Sequence, residues 1–259
     1  MAAAVGPTFL GIGAQKAGTT WLYKMLCAHP DVGMPAQKEL HFWDRDAADA
    51  VGIERYRHLF AVLSGKARGE ITPSYAVLPP ERITLIRQHF PELRLLYVLR
   101  NPLERAWSHA RMELSRQFPA GLPQDFPLSP WLEQQFRSEA SLSRGDYATC
   151  LKNWLKEYPQ EQLQVSLYED LRQDHRGFLE ACARHIGVDP DFYRRMDQAL
   201  LSASVYPEQE VLEIPRLNLP AIPPPESLPM LLELYAPRIQ AAEREFGYPL
   251  MQLWLADYR

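Results

Sequence analysis

The feature that most constrains this 259-residue chain is the run Leu93–Leu99, LRLLYVL, followed at once by Arg100-Asn101-Pro102. A stretch this apolar cannot alternate between a wet face and a dry one. It must be covered on both sides, which is the condition of an inner strand in a parallel sheet. Matching parts lie along the rest of the chain. Thr8–Gly13 (TFLGIG) reads as a buried strand, Lys66–Thr72 as another closed by Pro73, and Leu163–Leu167 as a fourth. Between them lie helical patterns. One carries Leu22, Met25 and Leu26 and stops at His29-Pro30; another spans 80–90. A third spans 102–116, with Leu103, Ala106, Trp107, Ala110 and Leu114 on one stripe and Ser108 opposite. Further helices are expected over 146–158, 175–187 and 226–246, the last breakable at Pro237. Strands alternating with helices predict an α/β fold: a central, mainly parallel sheet flanked by helices. No repeat or linker divides the chain, so one domain over 1–259 is expected.

Charge narrows the ligand. The net charge is −4, but residues 1–116 hold 15 Lys/Arg against 11 Asp/Glu, and 117–259 hold 13 against 21. Without a basic stripe or a high pI, no nucleic-acid partner is expected. A small anion held by the N-terminal half fits better. Cys27, Cys150 and Cys182 form neither a disulfide framework nor a zinc pattern. No apolar run is long enough to span a membrane and the N-terminus lacks the build of a signal peptide, so the expected location is cytoplasmic. The 23 prolines concentrate in 119–130 and 207–229, read as long ordered loops.

Three constellations carry chemistry. Gly13-Ala-Gln-Lys16-Ala17-Gly18-Thr19-Thr20 lies between a strand and a helix, where backbone amides and the helix dipole gather anions. Thr19 or Thr20 is expected to cap that helix. The lysine precedes the last glycine, unlike a Walker A loop, where it follows. The plain alternative is an ordinary turn with a solvated lysine. Arg100, at the carboxyl end of the apolar strand, can share a phosphate with Ser108, or else pair with Glu104. Lys38-Glu39-Leu40-His41-Phe42-Trp43-Asp44 places a carboxylate and an imidazole two residues apart, on one side of an extended chain. A general base is one reading and a surface loop the other.

Taken in this order, the motifs resemble those of the sulfotransferases that use 3′-phosphoadenosine 5′-phosphosulfate (PAPS), in particular the heparan sulfate-type branch and its bacterial relatives. FLGIGAQKAGTTWLYKMLCAHPDV is similar to their 5′-phosphosulfate loop, and LRLLYVLRNPLERAWSHARME to their 3′-phosphate motif. KELHFWD resembles the segment of their catalytic glutamate, GEITPSY their GEKTPSY-like strand, and LKNWLKEYP and LYEDL weaker later signatures. The resemblance implies a P-loop-like sulfotransferase fold. It also implies sulfuryl transfer from PAPS to a hydroxyl, or secondarily an amine, leaving 3′-phosphoadenosine 5′-phosphate (PAP), with no metal required. Residue by residue, it puts Lys16 at the sulfuryl group and Ala17, Gly18, Thr19 and Thr20 at the 5′-phosphate. Arg100 and Ser108 fall at the 3′-phosphate, and Glu39 at the base, with His41 beside it. Two departures stand out. Ile71 replaces a lysine that in the heparan sulfate enzymes lies near the acceptor, and the loop 204–216 is acidic, with Arg216 its one cation. Arg216 is the candidate to replace the family's basic C-terminal contact with the 3′-phosphate.

The expected acceptor is a neutral small molecule, a lipid or a carrier-tethered hydroxyl. Trp43, Tyr75, Phe118, Phe126 and Trp131 can line its cleft, though core or loop packing is the commoner use of such side chains, and 117–130 can form a lid. Two other functions are open: a non-catalytic PAP-binding or ligand-binding protein on the same scaffold, and a nucleotide kinase.

Overall fold

In the computed structural model the described residues are 6–45, 49–203, 217 and 219–258. The apolar run forms β4 (Arg94–Leu99), whose residues are buried after the first. Around it stand β1 (Phe9–Gly13), β2 (Val32–Gly33), β3 (Ala67–Ile71) and β5 (Leu163–Leu167), in the order β2-β3-β1-β4-β5. Every pairing is parallel. The two-residue β2 is the strand that periodicity does not reveal. Gly11 lies opposite Ile71, and a Cβ there would come within 2.6 Å of the Ile71 side chain, so β1 and β3 need glycine at this point.

Helices flank the sheet: α1 (Thr19–Ala28), the short α2 (Phe42–Arg45), α3 (Ala50–Ala61) and α4 (Pro80–His89) among them. α1 turns Trp21, Leu22, Met25 and Leu26 inward. A 3-10 turn, Pro73–Val77, follows β3. The connection after β1 leads toward β2 on one side, and that after β4 toward β5 on the other. The topological switch point of the sheet therefore falls between β1 and β4, where open α/β sheets receive ligands.

The chain divides into two compact units. One comprises residues up to Leu99 together with Leu151–Val205 and holds all five strands. The other comprises Arg100–Cys150 and Tyr206–Arg259. It is built on α5 (Pro102–Gln117), whose Leu103, Ala106, Trp107, Ala110 and Leu114 are buried as the stripe predicts. The helix Leu228–Phe246 runs through Pro237 without a break. Cys150 and Cys182 are buried and Cys27 exposed, all as free thiols. No helix among the described residues is long and apolar enough to cross a membrane.

Candidate active site

Because β1 and β2 both run parallel to β3, the segments leaving their carboxyl ends emerge at the same edge of the sheet, where the strands end. The Gly13–Gly18 loop leaves β1. Gly18 occupies the N-cap of α1 in the left-handed region, at φ 78°, and Lys16 shares that region at φ 69°. The expectation that a threonine caps this helix is corrected. Thr19 and Thr20 lie inside α1, which has no side-chain cap and no acidic residue in its first turn. Gly18 takes the cap because the chain must bend through a backbone region that side chains disfavour. A Cβ on Gly18 would also approach Tyr168 to 3.1 Å. First-turn amides left without a side-chain acceptor, at the positive end of a helix, are what an anion needs. Ala17 is fully buried and anchors the loop, its amide donating to the Ala14 carbonyl at 3.2 Å.

The second segment, Lys38–Asp44, lies beyond β2. It is not extended: Glu39 has φ 63° and His41 φ 56°, so the route by which they were expected to face one side is wrong. They meet all the same, with His41 Nε2 3.5 Å from Glu39 Oε2. The other ring nitrogen, Nδ1, lies 2.9 Å from Asp44 Oδ2. Ser74 Oγ donates to the same Asp44 oxygen at 2.7 Å. Lys38 pairs with Glu39 Oε1. Glu39 therefore heads a line of carboxylate, imidazole and carboxylate. Its side chain is 37% exposed, against 20% for His41 and 19% for Asp44, so the end of the line that meets solvent is Glu39.

This segment is held from β3. Glu70, 1% exposed, accepts from the Leu40 amide at 3.3 Å and from Thr72 Oγ1 at 2.6 Å. Its other oxygen accepts from the hydroxyls of Tyr56 at 2.8 Å and Tyr75 at 2.9 Å. Burial pushes the Glu70 carboxyl above its ordinary range, and these four donors pull it back. Burial beside Glu70 likewise raises both phenols, which keeps them donors. Sequence reasoning missed Glu70. The available signal was a carboxylate within the predicted strand 66–72, since such a group needs dedicated partners once the sheet is covered. Trp43 and Tyr75, read as cleft lining or as core packing, are fully buried and belong to the core. Trp43 packs edge-on to Phe42 and Tyr56.

The remaining candidates belong to the second unit. Asn101 caps α5, its side chain accepting from the Leu103 amide at 3.0 Å, and Pro102 opens the helix. The Arg100 carbonyl accepts from the Tyr147 hydroxyl at 2.7 Å. Arg100 Nη2 lies 3.0 Å from Glu104 Oε2, the pairing anticipated as the alternative. Ser108 is half-buried, one turn beyond Glu104 on α5. Phe118, Phe126 and Trp131 are half-buried and pack on one another, with Phe118–Phe126 centroids 4.7 Å apart. Arg216 and the acidic loop 204–216 lie outside the described residues. Among the described residues no group of three or more His, Cys, Asp or Glu could hold a metal.

The family model "Sulfotransferase domain" matches residues 7–205. The human heparan sulfate glucosamine 3-O-sulfotransferase 3B1 is 31% identical over 202 residues, 72% of this chain and 49% of that protein. The human bifunctional heparan sulfate N-deacetylase/N-sulfotransferase 3 is 28% identical over 204 residues, 72% of this chain and 23% of that protein. The match thus spans between about a quarter and a half of these relatives' lengths. Among solved structures, a sulfotransferase from Alicyclobacillus acidocaldarius superposes with a TM-score of 0.67 at 24% identity, covering 92% of this chain and 94% of that one. That likeness shows a shared fold.

Proposed function

This chain belongs to the sulfotransferase family, and on that premise we propose that it transfers the sulfuryl group of PAPS to a hydroxyl, or secondarily an amine, with residues 1–259 acting as one domain. The observation that carries the reading is the pair of segments at one sheet edge. One is an uncapped, glycine-started helix with a lysine in its loop; the other presents a solvent-facing carboxylate backed by an imidazole.

Each residue then has a task. The amides at the start of α1, with the hydroxyls of Thr19 and Thr20, hold the 5′-phosphate, and Ala17 and Gly18 shape the loop around it. Lys16 places its ammonium by the oxygen that bridges phosphorus and sulfur. Charge grows on that oxygen as the S–O bond breaks, so Lys16 stabilises the transition state more than the ground state. Arg100 and Ser108 hold the 3′-phosphate, for which Arg100 exchanges Glu104 for a doubly charged anion. Arg216 is proposed as a further contact there.

Glu39 takes the proton of the attacking hydroxyl. Its neighbours prepare it for that. His41 lies between the two carboxylates, Nδ1 at Asp44 and Nε2 at Glu39, and so fixes the direction of the Glu39 side chain. The acceptor is a neutral small molecule, a lipid or a carrier-tethered hydroxyl. Ile71, buried in β3, offers no cation to a polyanionic sugar.

The test is a screen of alcohol, phenol and amine acceptors with labelled PAPS, followed by release of PAP. Transfer by the wild-type chain that falls about 100-fold or more in Glu39→Gln supports the reading. Release of PAP at the same rate in both proteins contradicts the role of Glu39. Absence of transfer to every acceptor together with absence of PAP binding contradicts the donor.

A further inference from the structure

We propose that Glu70 and Tyr75 form a positioning clamp that fixes the main chain of residues 40–43 and so aims Glu39. The inference rests on the reading of Glu39 as the base, and neither Glu70 nor Tyr75 is a catalytic residue, since both are buried away from solvent.

The clamp is a set of directed bonds. Glu70 accepts from the Leu40 amide at 3.3 Å. Tyr75 donates its hydroxyl proton to Glu70 at 2.9 Å and accepts from the Phe42 amide at 3.1 Å. The Trp43 amide lies 3.5 Å from the same hydroxyl. Two amides, Leu40 and Phe42, are thus tied to one buried pair, and they bracket His41. Glu39 and His41 are the residues with φ 63° and φ 56°. Side-chain-bearing residues leave that region unless tertiary contacts hold them in it. Left alone, the segment would leave this conformation, and with it the backbone that sets the 3.5 Å Glu39–His41 contact and the turn toward Asp44.

The chemistry of Glu70 supports the assignment. Its two oxygens meet four donors, Tyr56, Tyr75, Thr72 and the Leu40 amide, which suits a group that only accepts. A buried carboxylate is a poor way to add stability, because an apolar residue of like volume serves as well. Its use here is therefore better explained by what it holds. Tyr56 separates the two roles. Its hydroxyl donates to the same Glu70 oxygen as Tyr75 does, but it bonds to the Glu70 side chain and not to the loop amides.

The experiment compares wild type with Glu70→Gln, Tyr75→Phe and Tyr56→Phe. It measures hydrogen exchange at residues 40–43, PAP affinity, and PAP release from PAPS with water as the acceptor, Glu39 taking the proton of the attacking water. In Tyr75→Phe and Glu70→Gln, exchange at Leu40 and Phe42 should rise about tenfold and kcat fall about tenfold or more, with PAP affinity and KM for PAPS within about twofold. Tyr56→Phe should lower the melting temperature yet leave exchange and kcat within about twofold. Unchanged exchange in Tyr75→Phe overturns the clamp, and so does a loss of kcat in Tyr56→Phe equal to that in Tyr75→Phe. If Glu70→Gln does not fold, Tyr75→Phe decides. If wild type releases no PAP to water, the exchange data alone decide whether the segment is clamped, and the donor reading fails separately only if PAP binding and transfer to every acceptor are absent as well.

Discussion

The Gly13–Gly18 loop and the Lys38–Asp44 segment leave the same sheet edge and are built in opposite ways. The loop, tied to β4 through the Ala14 amide and the Val98 carbonyl at 2.7 Å, is otherwise shaped by its own backbone. Its bend is made by Gly18 and its anion site by the start of α1, the very next residues. The Lys38–Asp44 segment borrows its shape. Its amides are tied to Glu70 and Tyr75, 30 or more positions along the chain, and the Asp44 carboxylate that holds its imidazole accepts in turn from Ser74. Local chemistry makes an anion cradle cheaply because it needs only backbone. Aiming a base needs side chains fixed in direction, and here the segment's own Lys38 and Asp44 are backed by partners from β3 and the turn after it.

That difference predicts how each region breaks. The largest effect is expected from Glu39→Gln, with turnover down about 100-fold or more and PAP affinity unchanged. Lys16→Ala should instead lose both rate and PAP affinity, since its charge faces the donor in the ground state and the transition state. Steady-state kinetics beside calorimetric titration with PAP separates the two patterns. A loss of PAP affinity in Glu39→Gln would merge the regions into one binding unit.

A smaller effect is expected from Gly18→Ala. A side chain at φ 78° costs about 1–2 kcal/mol in a left-handed conformation. The melting temperature should drop by a few degrees and PAP affinity should weaken, while exchange at residues 40–43 stays as in wild type. Parallel loosening of both segments would contradict their separate construction. The smallest change is expected from Glu104→Gln. The Arg100–Glu104 pair is partly exposed, so its loss should shift binding by less than about 1 kcal/mol. Removing a carboxylate beside a phosphate site should tighten PAP roughly two- to fivefold, a factor in keeping with such pairs. Weaker binding would mean that Glu104 orients Arg100 rather than competing for it.

The same contrast governs what could be read without coordinates. β1 and β4 were legible because burial on both faces leaves an apolar run, whereas β3 (ARGEI) was marked by the Pro73 that closes it and the half-buried β5 (LQVSL) by its alternation. The two residues of β2 leave no pattern at all. The Gly13–Thr20 loop was read in its composition, though its cap was assigned to a threonine when the backbone bend required Gly18. Glu39 and His41 were found as a pair from spacing in an extended chain, and they pair through left-handed backbone instead. Trp43 and Tyr75 show the limit most plainly. Nothing in their own identity or spacing separates a cleft aromatic from a core one. Only the residues that cover them decide, and those come from α3, β3 and the turn after it. Glu70 was hidden for the same reason: its partners are distant in sequence, and its importance lies wholly in them.

The measurement that bears most directly on the donor is thermal unfolding with PAP, 5′-AMP and ATP–Mg²⁺ in parallel. A ligand at 100 times its Kd stabilises the folded state by about 2.7 kcal/mol. For a chain of this size that is a rise of roughly 5–10 °C in Tm. A rise of this order with PAP and little with 5′-AMP is the expected result, since it requires both the α1 anion site and a working 3′-phosphate site. A rise with ATP–Mg²⁺ alone, or none with PAP, would contradict the sulfuryl-donor assignment.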